Sequence, residues 1–387
     1  MKIAIFNDLN DTRKVTTFRE ILRRHEVYWI TERFFSASDE GNLRYVRCAY
    51  PSRKLKEKSR VHKLLFEGFK LASLAWPERF LPLSADFPVF EHGFLSDIDV
   101  CLPVSDFALY ALLKLRRDHG YRYKVVFYDA ETIPFLQMRR CDMRHVWQEA
   151  NHSVDHFLAW STRVRNKELI EGVSDDRISV VFTGIDTGLF SPGPCTHSPD
   201  TPVLLTVGKI EHNKGIRYCL EADRELMKRG MKFIHVYIGT GKNLQHYRKL
   251  ASRLGLDRFV KFAGFVTEEQ LIDHYRRASV FILPSIRTRA WEEQFGIAIA
   301  EAMSCGLPVV STCSGSIPEV LGNTGILVSE RNSREIAGAV STLLKDPALC
   351  RTFGRKARNR VIDLFEIGKV SRRTCRIIEK VAGKSAD

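Results

Sequence analysis

Apolar residues along this chain gather in short runs separated by longer amphipathic stretches. The first run, "KIAIF", is followed by "EVYWI", "YVRCA", "IDVCLPV", "YKVVFY", "HFLAW" and "ISVVF". Segments of helical period lie between many of them, and that alternation predicts a parallel sheet covered on both faces. A second series repeats the pattern with "PVLLTVG", "FIHVYIG", "FVKFAG", "ASVFILPS", "LPVVST" and "TGILVS", separated by helical segments such as 215–230 and 243–254. Residues 191–202, "SPGPCTHSPDTP", sustain neither period and predict a linker. Two doubly wound α/β domains are therefore expected, 1–195 and 196–365, followed by a helical, basic tail. Open sheets of this kind bind ligands beyond the carboxyl ends of their strands, so the chemistry is expected in a cleft between the facing strand ends.

Composition narrows the class of protein. A length of 387 residues suffices for two cores, and 44% hydrophobic with 27% charged residues is the balance of a folded chain. No run reaches the ~18 apolar residues of a membrane span, and the N-terminus turns polar too soon for a signal peptide, which points to the cytoplasm. The nine cysteines are scattered without a CxxC pair, as expected of reduced, mostly buried thiols. A net charge of +14 favours an anionic partner, either a phosphate-bearing ligand or a membrane face. Nucleic acid is disfavoured, because the basic residues form no aromatic-interleaved face.

The stretch "EEQFGIAIAEAMSCGLPVV", residues 292–310, holds two glutamates eight positions apart, Glu293 and Glu301. Gly296 suits a helix interior poorly, so a helix is predicted to start near Phe295, with Glu293 ahead of it and Glu301 roughly 7–8 Å down its axis. Unpaired N–H groups at such a start attract phosphate. One carboxylate can then accept from sugar hydroxyls and the other from both hydroxyls of a ribose, the layout of a sugar nucleotide. The plainer alternative makes Glu293 a helix-dipole partner and Glu301 a solvated residue. Against it, Glu301 sits among Ala300, Ala302 and Met303, where a carboxylate needs a partner. In "LLTVGKIEHNKGI", Gly208 ends a buried strand, and Lys209 and Lys214 flank a turn where two ammonium groups can neutralise a departing diphosphate. Gly239, in "YIGTGKN", opens a glycine-rich turn that a ligand can approach, a weak signal alone. In "CSGSIPEVL", Ser316 and Glu319 have capping-box spacing around Pro318, which makes Glu319 structural.

Together these motifs give the chain a resemblance to the retaining glycosyltransferases of family 4, which have the GT-B fold. The matching pieces are "ISVVFTGIDTGLFSP", "LLTVGKIEHNKGI", "VKFAGFVTEEQLIDHYRRASVFILPS", "EQFGIAIAEAMSCGLPVVST" and "GSIPEVLGNTGILV", in the family's order over roughly residues 154–328. The resemblance implies two Rossmann-like domains, with the acceptor bound by 1–195, a nucleotide-sugar donor by 196–365, and a C-terminal helix, 366–387, crossing back to the first domain. It implies donor-sugar contacts from Glu293, ribose contacts from Glu301, and diphosphate contacts from Lys209, where many members have arginine, and Lys214. Backbone groups of Phe295, Gly296 and Ile297 would complete the phosphate pocket, and Val266 would lie near the base. The activity implied is hexosyl transfer to a glycan, lipid-linked or small-molecule hydroxyl, in cell-surface polysaccharide or glycolipid synthesis. A nucleotide-diphosphate sugar is then the co-substrate, with no other cofactor.

The chain also departs from the family. The glycine-rich loop expected after the first strand is replaced by "NDLNDTR", which offers Asp8 and Asn10 on the acceptor side. A histidine common at a strand end of the first domain is absent; "VVFYDAET" offers Asp129 in its place, or else Asp129 merely caps the next turn. The loop "SIRTRAWEEQFG" is long, giving Arg287 and Arg289 as phosphate or acceptor contacts peculiar to this chain. No metal is expected, since the only DxD, Asp97–Asp99, opens a strand rather than ending one. Residues 52–83 carry eight Lys or Arg against three Glu among spaced apolar residues, as a helix on an anionic membrane does, or a basic helix packed on the sheet. A sugar-nucleotide epimerase, a phosphorylase-like enzyme and a non-enzymatic scaffold remain rival readings.

Overall fold

The computed structural model describes residues 1–6, 18–31, 43–47, 93–104, 106–136, 144–193 and 201–384. Each predicted strand run forms a strand. The first sheet holds β1 (Lys2–Phe6), β2 (Glu26–Thr31), β3 (Leu43–Arg47), β4 (Val100–Pro103), β5 (Lys124–Asp129), β6 (His156–Ala159) and β7 (Ile178–Val180), in the order β3-β2-β1-β4-β5-β6-β7. The second holds β8 (Val203–Val207), β9 (Ile234–Ile238), β10 (Val260–Gly264), β11 (Val280–Leu283), β12 (Val309–Thr312) and β13 (Ile326–Val328), in the order β10-β9-β8-β11-β12-β13. All pairings are parallel. Strand order reverses between β1 and β4 and again between β8 and β11, the switch points where such sheets open a crevice.

Residues alternate between two cores in the first sheet, because successive side chains of a strand point to opposite faces. Val125 and Phe127 of β5 pack with Phe157 and Trp147 on one side, while Val126 and Tyr128 pack with Ile5, Leu102 and Leu158 on the other. The second side is closed by the tail helix Ile367–Val381, which buries Val370, Cys375 and Ile378 there. The expected return of the C-terminal helix to the first domain is thus observed. It is fixed further by Ser371, whose hydroxyl accepts from the Glu20 N–H at 2.7 Å, and by Glu379, which meets His25 at 3.0 Å and Arg24 at 3.2 Å. The two chain crossings between sheets run side by side: Ile185 N–H donates to Phe365 O at 2.7 Å and Ile367 N–H to Ile185 O at 3.0 Å.

Asp97 and Asp99 precede β4 at the amino edge of the sheet, where Lys2 and Lys384 pair with them. That edge faces away from the strand ends that form the cleft. Asp8 and Asn10, the basic segment 52–83 and linker residues 194–200 lie outside the described residues. Among the described cysteines, Cys101, Cys219, Cys305 and Cys375 are buried free thiols, as expected, and Cys313 is exposed.

Candidate active site

The carboxyl ends of β8, β9 and β11 meet through glycines. Gly239 has a φ of +131°, and a Cβ there would sit 2.0 Å from the Gly208 carbonyl oxygen. Gly215, at φ +69°, opens the helix Ile216–Lys228 and leaves equally little room, 1.9 Å, beside the Pro284 carbonyl. Only residues without a side chain allow these strand ends to close on one another. The result is a shallow backbone floor from which the loop 209–214 projects.

Next to this floor the helix Ile297–Ser304 begins, two residues later than the pattern predicts. Gly296 is its N-cap in the left-handed region, φ +89°, and no side chain caps its first turn. The first-turn N–H groups of Ile297 and its neighbours are therefore the anion-attracting end of a dipole. Phe295 fixes the angle of entry by burying its ring against Phe365, centroids 5.3 Å apart.

Glu293 is 7% exposed, and its Oε2 accepts from Lys214 Nζ and from Ser285 Oγ, both at 2.7 Å. Lys214 Nζ also lies 4.6 Å over the Trp291 ring. The Glu293 main chain is anchored separately, its carbonyl accepting from Ser316 N–H at 2.8 Å. Glu301 is 6% exposed and accepts from the Tyr275 hydroxyl at 2.8 Å; Tyr275 itself packs on Phe190 and Phe281. The solvated-helix alternative for Glu301 therefore does not hold. Lys209 is exposed and has no partner among the described residues. Val266 is half-buried against the core after β10. Its neighbour Phe265 is 82% exposed, a large apolar surface that sequence reasoning passed over.

Two expectations need correction. Asp129 is 3% exposed and tied into an ion pair rather than presented as a free acid or base. Its Oδ2 lies 3.1 Å from Lys167 Nζ, which also meets Glu168 at 3.1 Å and Glu171 at 3.0 Å, and its Oδ1 accepts from Glu131 N–H at 2.9 Å. Burial, the largest effect, raises the Asp129 pKa, but the Lys167 charge together with hydrogen bonds from Glu168, the Glu131 N–H and Lys167 outweighs it and holds the carboxyl below its ordinary range. Capping of the next turn, the weighed alternative, is what the structure shows. Glu319 forms no capping box: Ser316 Oγ pairs with Ser161 Oγ at 2.8 Å, and the Glu319 carboxylate takes the Thr162 N–H at 2.9 Å. Both therefore tie the second domain to the first. Arg287 stands at the domain interface: its Nε lies 3.0 Å from Glu292, which Arg163 of the first domain grips through Nε and, at 2.9 Å, Nη2. Lys167, Ser161, Thr162 and Arg163 were not visible as partners to sequence reasoning, since each lies far along the chain from the group it meets.

Comparison with known proteins bears on the fold and on the second domain. Residues 195–360 match the family model described as glycosyl transferases group 1. D-inositol 3-phosphate glycosyltransferase 2 of Catenulispora acidiphila is 33% identical over 225 residues, 53% of this chain and 51% of that protein. The GDP-mannose-dependent alpha-(1-6)-phosphatidylinositol monomannoside mannosyltransferase of Mycolicibacterium smegmatis is 32% identical over 196 residues, 47% of this chain and 51% of that protein. The chain thus spans about half the length of the curated relatives it matches. Among solved structures, Anabaena Alr3699/HepE in complex with UDP and glucose superposes with a TM-score of 0.72 at 16% identity, covering 98% of this chain and 100% of that one. Sucrose-phosphate synthase from Thermosynechococcus elongatus gives 0.74 at 18%, covering 99% of each chain. The overall architecture is therefore GT-B, and the domain at residues 195–360 belongs to the group 1 glycosyl transferases.

Proposed function

We propose that this chain is a retaining, metal-independent glycosyltransferase that moves a hexosyl group from a nucleoside-diphosphate sugar to a hydroxyl of a glycan or lipid-linked acceptor. The observation that carries this reading is the Lys214–Glu293 pair, held 2.7 Å apart beside an uncapped helix start and a glycine floor. A diphosphate fits against the helix start, where Lys214 and the unpartnered Lys209 neutralise it. Glu293 then accepts from sugar hydroxyls and Glu301 from the ribose, with Val266 beside the base. The relatives named above are glycosyltransferases, which favours this over the epimerase, phosphorylase-like and scaffold readings.

In the reaction the acceptor oxygen bonds to the anomeric carbon on the face that the phosphate leaves. The bond from that carbon to the phosphate oxygen breaks, and the departing oxygen takes the acceptor's proton. Asp129 is locked under Lys167, and this same-face course needs no carboxylate base on the acceptor side. Lys209, Lys214 and the helix start act where charge develops, which is the condition for lowering the barrier rather than only tightening binding.

Polysaccharide or glycolipid synthesis suits such an acceptor, and the basic segment 52–83 is the candidate for peripheral contact with an anionic membrane from the cytoplasmic side. No helix among the described residues is long and apolar enough to cross a membrane. A thermal-shift screen with UDP-, GDP- and ADP-sugars tests the core of the reading. A sugar nucleotide at ~100 times its dissociation constant adds about 2.7 kcal/mol of stability, a plain rise in midpoint. If no sugar nucleotide moves the midpoint, the assignment fails.

A further inference from the structure

Beside Glu293 the long loop after β11 builds a second cationic pocket that the donor does not need. Arg287, Thr288, Arg289, Cys313, Glu330 and Arg331 line an open cleft of about 560 Å³. These residues follow β11, β12 and β13, so the cleft opens at the same strand ends as the donor site. The loop is pinned in place: Arg287 N–H donates to Glu330 at 2.8 Å, Arg331 Nη2 donates to the Arg287 carbonyl at 3.1 Å, and Thr288 N–H donates to the Trp291 carbonyl at 2.8 Å. Trp291 also lies under Lys214, so pocket and donor site share one rigid loop.

Charge in this pocket is unbalanced. Arg287, Arg289 and Arg331 line it, and Glu330 is the one acid among the lining residues. Glu292, 2% exposed, is gripped by Nε and Nη2 of Arg163 and also lies 3.0 Å from Arg287 Nε, so one carboxylate serves two guanidinium groups. Arg289 is exposed with no partner among the described residues. Guanidinium groups bind phosphate or carboxylate through paired hydrogen bonds. The donor diphosphate already has the helix start and two lysines, and Arg287 ties the pocket through Glu292 to Arg163 of the first domain.

Resting on the functional reading above, we infer that this pocket is a subsite for a fixed negative charge, phosphate or carboxylate, carried by the acceptor close to the hydroxyl that is glycosylated. Arg289 and Arg331 are its principal cations, and Arg287 is its link to the domain interface through Glu292.

Cys313 supplies a local reporter, because it is exposed and lines the same pocket. Its alkylation by iodoacetamide is followed by peptide mass spectrometry on protein saturated with UDP or GDP, whichever raises the midpoint, so that the donor phosphate site is filled. Inorganic phosphate is expected to slow Cys313 alkylation at least roughly threefold, the factor for a ligand at twice its dissociation constant. Cys350, outside the pocket, serves as the unaffected control. Arg289→Glu, an exposed change that leaves the nucleotide shift intact, is expected to abolish the protection, and Arg331→Gln to weaken it. Glycerol 3-phosphate and glucuronate, compared in the same assay, separate a phosphate-bearing acceptor from a carboxylate-bearing one. Equal alkylation with and without all three anions, or protection that survives Arg289→Glu, overturns the subsite while leaving the donor reading intact. Absence of any nucleotide shift overturns the donor reading, and the subsite with it.

Discussion

Lys214 holds its ammonium 2.7 Å from the Glu293 carboxylate and 4.6 Å above the Trp291 ring, so the central charges of the proposed donor site are paired before any substrate arrives. Lys214→Met leaves a nearly buried carboxylate with Ser285 as its remaining partner. Breaking such a pair from one side costs about 3 kcal/mol. Activity falls further, by roughly 10²–10³ in kcat, because a charge facing the departing phosphate is lost. The double variant Lys214→Met/Glu293→Gln is expected to regain stability without regaining activity. Denaturant unfolding and steady-state rates on the three proteins check this; a double variant whose loss is the sum of the single losses would show that the groups do not act as a pair.

Tyr275 and Glu301 make a separable prediction. The hydroxyl at 2.8 Å orients a carboxylate that otherwise sits among apolar side chains. Tyr275→Phe keeps the ring packed on Phe190 and Phe281 and removes that orientation. Nucleotide affinity is expected to fall about five- to tenfold, the worth of about one hydrogen bond, with kcat for bound donor nearly unchanged. Titration calorimetry with the nucleoside diphosphate measures the first and saturating kinetics the second. A drop confined to kcat would place Glu301 at the reacting sugar instead of the ribose.

These pairs mark the boundary of what the sequence could disclose. Strands of a parallel sheet are buried on both faces and read as unbroken apolar runs, so "KVVFY" or "VFIL" announced themselves. Glycine at 296 announced a helix start but not its register, because a left-handed N-cap shifts the first turn beyond it. The Glu293 and Glu301 spacing was legible for the same local reason. Asp129 was not, since nothing near it in sequence foretells Lys167 from the helix Thr162–Ile170. Glu319 has the spacing of a capping residue, yet its partner Thr162 lies in the other domain. Local pattern carried the elements, while partnerships across long separations required coordinates.

Gly315 is expected to be among the most sensitive positions outside the charged groups. Its φ is +57°, and a Cβ there would fall 2.0 Å from the Glu293 carbonyl oxygen. Gly315→Ala must displace the backbone that carries Glu293, on top of the left-handed strain of about 1 kcal/mol that any side chain brings. Gly230→Ala is the matched control: φ is +71°, with nothing within 4 Å of the added carbon. Thermal melts should show a distinctly larger loss for Gly315→Ala, accompanied by lost donor binding, and only the strain cost for Gly230→Ala. Similar losses in both would mean that the approach of residue 315 to Glu293 relaxes freely.

His156 predicts how the fold responds to acid. It starts β6 with Nε2 2.9 Å from Ser179 Oγ. Burial lowers its pKa from 6.5 to about 4; Lys380 of the tail helix and Arg177 push the same way, against Asp176. Below 6.5 the unfolded chain therefore binds a proton that the folded chain refuses, so unfolding is favoured increasingly as pH drops. The contribution is fully present above pH about 6.5 and lost as pH falls towards about 4, roughly 3 kcal/mol in all. His25, lowered chiefly by burial despite Glu379, has the same sign, so one substitution flattens the slope without removing it. His156→Gln keeps a polar group for Ser179 but cannot titrate. Urea unfolding across this pH range should show a shallower decline for the variant than for the parent, and parallel curves would mean that His156 protonates freely in the folded protein.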